Sequence, residues 1–199
     1  MAIPTEPIGS IPRPAQLIGA GQDLAAGRIS AQAYAQLAEA AVGETIAELE
    51  ATGSPVITDG EQGKPSFATY PLAGLAALAS DGVVIPFADG HTRQLPRLTA
   101  GPFRYARHAD GYLELARRYA RVPVKQPVIA ASALSLLYPA DGIAGYPREA
   151  FLADLVREAA ADIRGALEGA RTACRSISPR AGSRSSSTRP GSCCGRLPI

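Results

Sequence analysis

Short β-branched runs alternate with long helical stripes through the first 168 residues, and that alternation restricts the chain to a small set of folds. Ser30 suits an N-cap; Tyr34, Leu37, Ala41, Ile46 and Leu49 then recur at helical spacing until Gly53, which suits the position just past a helix end. Val56-Ile57-Thr58 is strand chemistry, closed by the polar loop Asp59-Gly60-Glu61-Gln62-Gly63. Residues 83–87 and 92–95 flank Asp89-Gly90, a hairpin turn signal, and read as an excursion from the main fold. A helix is expected over 110–121 and strand character over 122–131. Another helix is expected over 148–168, where Phe151, Leu152, Leu155, Val156, Ala159, Ile163 and Leu167 form the most regular stripe in the chain. The proline-rich opening reads as an extended segment that ends in a loop at Gly9 and Ser10. Parallel strands are therefore expected near 4–9, 55–59 and 124–131, in an α/β fold that is either an open doubly wound sheet or a barrel. The Gly-x-Gly-x-x-Gly fingerprint does not follow the first strand, Gly19-Ala20-Gly21 lacks the rest of it, and there is no P-loop, so nucleotide binding is disfavoured.

The pattern stops near Gly169. Beyond it lie six arginines (171, 175, 180, 184, 189 and 196) and no acid, so the overall charge of +2 hides a net −4 over residues 1–168, fourteen cations against eighteen acids. This divides the chain into a folded unit, 1–169, and an irregular tail, 170–199, rich in Arg, Ser, Gly and Pro. A basic arm for nucleic acid would be expected to bring an aromatic or folded module with it, and none accompanies the tail, so no nucleic-acid partner is expected. All three cysteines (174, 193 and 194) fall in the tail, an odd count with two adjacent, which argues against a secreted disulfide framework. The longest apolar runs fall well short of the roughly 20 residues a membrane helix needs, and no signal stretch opens the chain. No membrane partner and a cytoplasmic location are expected.

Three loops that follow candidate strands hold the polar groups: Gly9-Ser10, Asp59-Gly60-Glu61-Gln62, and the region ending in Tyr138. In a barrel such strand ends converge on one face, where a hydroxyl, carboxylates and an aromatic can surround a polar substrate, the carboxylates suiting an ammonium. The four residues from Asp59 read equally well as a tight, solvated turn. His91 and His108 read as surface histidines.

Ile8-Gly9-Ser10-Ile11-Pro12-Arg13-Pro14 resembles the Ile-Gly-Ser-Phe-Pro segment of the cobalamin-independent methionine synthase family. Thr58-Asp59-Gly60-Glu61 resembles that family's Gly-Glu strand end, and residues 128–138 resemble its third barrel strand and loop. The resemblance covers about residues 3–168. It implies the first three or so β/α units of a partial (β/α)₈ TIM barrel, and methyl transfer from a folate-type donor to a homocysteine-like thiol; the alternatives are another zinc-dependent thiol or alkyl transferase of the same superfamily, or a non-catalytic remnant. It further implies that Gly9 and Ser10 meet the homocysteine carboxylate, that Glu61, with Asp59 beside it, holds the ammonium, and that Tyr138 stands where the pterin stacks. Gly63-Lys64-Pro65 departs from the more acidic family segment, and Tyr138 replaces a tryptophan.

Zinc is the cofactor the resemblance implies, because a metal-bound thiolate is the competent nucleophile near neutral pH. The family's His-x-Cys, Glu and later Cys ligands have no counterparts here, and the three cysteines match no zinc spacing. No catalytic residue and no metal ligand is therefore assigned, and residues 1–199 alone are expected to show neither stoichiometric zinc nor methyl transfer. Codons for Ala173 to Gly182 can be chosen so that a shifted frame reads Val-Gln-Ile-Asp-Phe-Thr-Glu-Gly-Arg, a suitable next strand. The expectation is that the tail is an off-frame read of a longer gene.

Overall fold

The structure is a computed structural model that describes residues 5–176, with side chains over 5–169. Among the described residues five α-helices carry the fold: α1 (Ala15–Ala25), α2 (Ala31–Ala51), α3 (Ala109–Arg117), α4 (Ala131–Leu134) and α5 (Arg148–Ser176). Strands are few and short: β1 (Leu78–Ala79) pairs antiparallel with β4 (Arg97–Leu98), and β2 (Val84–Pro86) with β3 (Thr92–Gln94). The chain is thus mixed α/β, but the described residues form no barrel.

The three parallel strands expected from the sequence reduce to one parallel bridge, Ile57 with Val124. Ile57 N–H donates to the Pro123 carbonyl at 3.0 Å, and Lys125 N–H donates to the Ile57 carbonyl at 2.7 Å. Proline explains why the ladder does not lengthen: Pro7, Pro55, Pro123 and Pro127 each lack the N–H that a continued ladder needs. The segments still lie side by side, and this places their C-terminal loops together.

Where local signals were strong, the elements form as read. Ser30 accepts a hydrogen bond from Ala33 N–H at 3.1 Å and caps α2, and Gly53 takes a positive φ of 75° just beyond that helix. Gly90 turns the β2–β3 hairpin at φ 86°. α5 runs past the expected 168 to Ser176, through residues that include no proline or glycine after Gly169. Of the irregular tail expected from residue 170, the first seven residues lie in α5, and residues 177–199 lie outside the described residues.

α5 buries a different face from the one its apolar stripe announces. Phe151, Leu155 and Ala159 are inside, but Leu152, Val156, Ile163 and Leu167 are exposed, while Asp154, Glu158 and Asp162 point inward at one-turn spacing. Each of these carboxylates satisfies a group that no apolar side chain could. Asp162 accepts from the Tyr70 hydroxyl and, at 2.6 Å, from Ala109 N–H, one of the unpaired amides at the start of α3. Glu158 accepts from Tyr105 N–H at 3.0 Å, and Asp154 accepts from the Tyr146 hydroxyl at 2.6 Å and pairs with Arg104 at 3.0 Å. Around this ladder Tyr70, Phe103, Leu134, Leu137, Phe151 and Leu155 build the main core. A second cluster of Val42, Ile46, Ile57 and Ala116 seats α2 and α3 under the Ile57 bridge.

Candidate functional site

The residue types of the loop after Ile57 dictate its shape. Thr58 turns its hydroxyl back on the backbone: Oγ1 donates to the Gly9 carbonyl at 2.8 Å and accepts from Gly60 N–H at 3.2 Å. Asp59 Oδ1 accepts from Glu61 N–H at 2.9 Å, an Asx-type turn that bends the chain two residues on. Gly60 sits at φ 63°, and a Cβ there would meet side-chain carbons of Ile11 and Thr45 at 2.8 Å, so only glycine fits. Glu61 follows at φ 56°, a left-handed conformation that costs a non-glycine residue free energy and that surrounding structure must hold in place.

The 9–13 segment provides that hold. Ile11 N–H donates to the Gly60 carbonyl at 3.2 Å, and the Arg13 guanidinium donates to the carbonyls of Glu61, at 3.2 Å, and of Lys64. A Cβ on Gly9 would lie 3.0 Å from the Pro127 ring and 4.0 Å from the Glu61 carboxyl carbon. The first two loops picked out in the sequence are therefore one interlocked knot. Gly9 is buried in it, Ser10 beside it is exposed, and Asp59 and Glu61 are buried. Two polar atoms in the same knot, Arg13 Nε and Gln62 Oε1, are buried without a hydrogen-bond partner among the described residues. A buried donor and acceptor left over at one place are groups that a bound polar molecule or water would satisfy.

Lys64 belongs to this site, although the sequence marks it only as a departure from the family's more acidic segment. Its side chain has no exposed surface, and its Nζ lies 3.2 Å from Glu61 Oε1 and 2.9 Å from the Pro127 carbonyl. It also stands 4.7 Å above the Tyr70 ring and 5.8 Å from the centre of the Tyr112 ring. The sequence showed a lysine where a solvated loop was one of the two readings; nothing local says that the loop folds inward. Arg13 was equally silent, since its partners are carbonyls some fifty positions away.

Tyr138 is placed elsewhere. Its hydroxyl donates to the Tyr146 carbonyl at 2.8 Å and accepts from Ile143 N–H at 3.3 Å, and its ring lies 5.3 Å from that of Phe151. The Arg148 guanidinium stands 5.9 Å from its centre. These contacts fold the 139–147 loop onto the start of α5 and do not join Tyr138 to the knot. Another feature near that loop is a cavity of about 330 Å³ lined by residues 99–102 and 143–146, which contains none of the expected site residues.

Burial pushes the Asp59 carboxyl above its ordinary value of 3.8, with the Glu61 N–H and the charge of Lys64 opposing the rise. A carboxyl raised in this way keeps its proton in the folded chain after the unfolded chain has lost it. Stability from this group is therefore present at low pH and is lost as pH climbs from about 3.8 through the folded value. Asp59→Asn keeps an oxygen for the Glu61 N–H and has no charge to desolvate. Its unfolding midpoint is expected to gain on that of the wild type as pH rises from 3 to 7, followed by thermal melts across that range; a constant difference would contradict the assignment.

No protein-family model matches the chain, and no curated protein matches it in sequence. Among solved structures it is similar to a B12-independent methionine synthase from Shewanella sp. W3-18-1 in complex with selenomethionine, with a TM-score of 0.60 and 16% identity. The match covers 85% of this chain and 48% of that one, so the chain spans about half the length of the structure it resembles. At that identity the likeness is one of fold. No helix among the described residues is long and apolar enough to cross a membrane.

Proposed function

We propose that this chain forms the opening β/α units of a thiol methyltransferase of the cobalamin-independent methionine synthase type, and that its knot of loops holds the amino-acid end of a homocysteine-like thiol. The observation that carries the reading is the convergence of Gly9, Asp59 and Glu61, from segments fifty residues apart, around a left-handed glutamate. In this reading the Gly9 backbone and Ser10 hydroxyl meet the substrate carboxylate, Glu61 meets the ammonium, and Asp59 positions Glu61 through its N–H. The fold likeness supports it, since the similar structure holds selenomethionine, which carries the same ammonium and carboxylate.

The folate-type donor belongs to the whole activity of that enzyme type. The Tyr138 ring packs against Phe151, and the proposal for this chain is confined to the thiol substrate. Such enzymes are expected to use zinc, yet among the described residues no group of three or more His, Cys, Asp or Glu is placed to hold a metal ion. The knot's carboxylates are already engaged, by Lys64 and by a backbone N–H, and do not fit a zinc centre.

Glu61→Gln is expected to weaken L-homocysteine binding by on the order of 1–3 kcal/mol, the range for a charged hydrogen bond, as read by calorimetric titration. Unchanged affinity would remove Glu61 from the site. The Lys64 pairing favours a second reading, a non-catalytic remnant in which the knot only supports the fold; the absence of any homocysteine binding would select it.

A further inference from the structure

The surroundings of the Lys64 amine are those of a recognition site for an ammonium ion. Glu61 supplies an anion at 3.2 Å, the Pro127 carbonyl a second acceptor at 2.9 Å, and the Tyr70 ring a π face at 4.7 Å, with Tyr112 further out. An –NH₃⁺ group has three donors and no acceptor, which suits two oxygens on one side and an aromatic quadrupole on the other. A quaternary ammonium could not donate to either oxygen. The walls come from three separate stretches of chain, the 58–64 loop, the turn Tyr70–Leu72 and the segment after Val124.

We propose that Glu61, the Pro127 carbonyl and the Tyr70 ring form a receptor for a primary ammonium ion that Lys64 fills from within the chain, so that Lys64 is an internal competitor for an amino-acid ligand. The competitive part rests on the reading of Glu61 as the substrate's ammonium partner. Being tethered, Lys64 acts at a high effective concentration and sets how tightly an external ammonium binds. The ligand class is therefore the primary alkylammonium, free amines and α-amino acids included, and amino-acid affinity is held down for as long as Lys64 stays in place.

Lys64→Ala removes the amine and the last three methylenes of its stem, which n-propylammonium restores atom for atom. Added n-propylammonium is expected to raise the unfolding midpoint of Lys64→Ala by several degrees and saturably. Tetramethylammonium at equal ionic strength and 1-propanol are not expected to do so, and Lys64→Ala/Glu61→Gln should not respond. Equal effects of the two cations would overturn the receptor. If Lys64→Ala cannot be purified folded, its refolding yield with each cation is the readout.

The unmodified chain supplies an independent arm, because it has only two lysines, Lys64 and the partly exposed Lys125. Brief acylation of the native protein, read by peptide mass spectrometry, should label Lys64 at least tenfold more slowly than Lys125. Equal labelling would overturn the proposal. L-Methionine then separates the two claims. Tighter binding to Lys64→Ala than to wild type, by tenfold or more, supports the competition. Rescue by n-propylammonium with no methionine binding to either protein would leave the receptor standing and overturn both the competition and the amino-acid reading of the site.

Discussion

Lys64→Ala is expected to lower the free energy of unfolding by about 3–5 kcal/mol, the range seen when one member of a buried ion pair is removed and the other stays behind. The size follows from what remains. The Glu61 side chain is 4% exposed and would lose the cation 3.2 Å away, and the Pro127 carbonyl would lose its donor as well. Lys64→Met keeps most of the side-chain volume and should still lose most of this stability, which assigns the loss to charge rather than to volume. Adding Glu61→Gln to Lys64→Met should recover part of it, since the double variant has no unpaired buried charge. Urea unfolding of the wild type, Lys64→Ala, Lys64→Met, Glu61→Gln and Lys64→Met/Glu61→Gln tests this. A loss below about 1 kcal/mol for Lys64→Ala, as for an exposed pair, would show that the amine is solvated.

Phe151→Ala is expected to cost a similar amount, about 3–5 kcal/mol, by opening a cavity where the surroundings cannot collapse. Phe151 has no exposed surface and meets the rings of Phe103 at 5.4 Å and Tyr138 at 5.3 Å. It stands in the first turn of α5, so its loss should loosen the Tyr138 loop before the rest of the fold. Hydrogen exchange is expected to rise first at Ile143 and Tyr146, whose amides are bonded in that loop. Exchange that rises uniformly, or a loss within 1 kcal/mol, would mean that Tyr138 is not held by Phe151.

What the sequence conveyed of the fold depended on whether the determinant was local. Ser30, Gly53 and Gly90 act on their own neighbours, and α2 and the hairpin form where those residues indicate. α1 carried no comparable signal, because Gly19 and Gly21 lower its helix propensity and its buried residues, Leu17 and Ala20, make no long stripe. The strand expected through Ala131 was drawn from Val128 and Ile129, yet the chain turns helical at Ala131, after Pro127 has removed a ladder donor. In α5 the period was right and the face was wrong. Apolarity favours burying Leu152 and Val156, but the partners waiting on the core side are the Tyr70 and Tyr146 hydroxyls and the Tyr105 and Ala109 amides, and only the carboxylates answer them.

The candidate site was legible in part for the same reason. Asp59-Gly60-Glu61 announces its turn through side-chain and backbone rules that act within three residues. Its junction with Gly9 could be named through the family resemblance, whereas spacing along the chain says nothing of it. The burial of Lys64 and Arg13 could not be reached: a cation next to a turn reads as solvated, and the partners of Lys64 at Pro127, Tyr70 and Tyr112, like those of Arg13 at Glu61 and Lys64, are not neighbours along the chain.

The central claim, that the strand ends meeting at Glu61 form an amino-acid site, is tested most directly by titrating L-homocysteine into the isotopically labelled chain and following backbone amide shifts. The account predicts saturable shifts at Gly9, Ser10, Gly60 and Glu61, diminished in Glu61→Gln and left at wild-type strength in a variant of the exposed His91. Shifts confined to residues 99–102 and 143–146 around the other cavity, or no shifts at millimolar ligand, would contradict it.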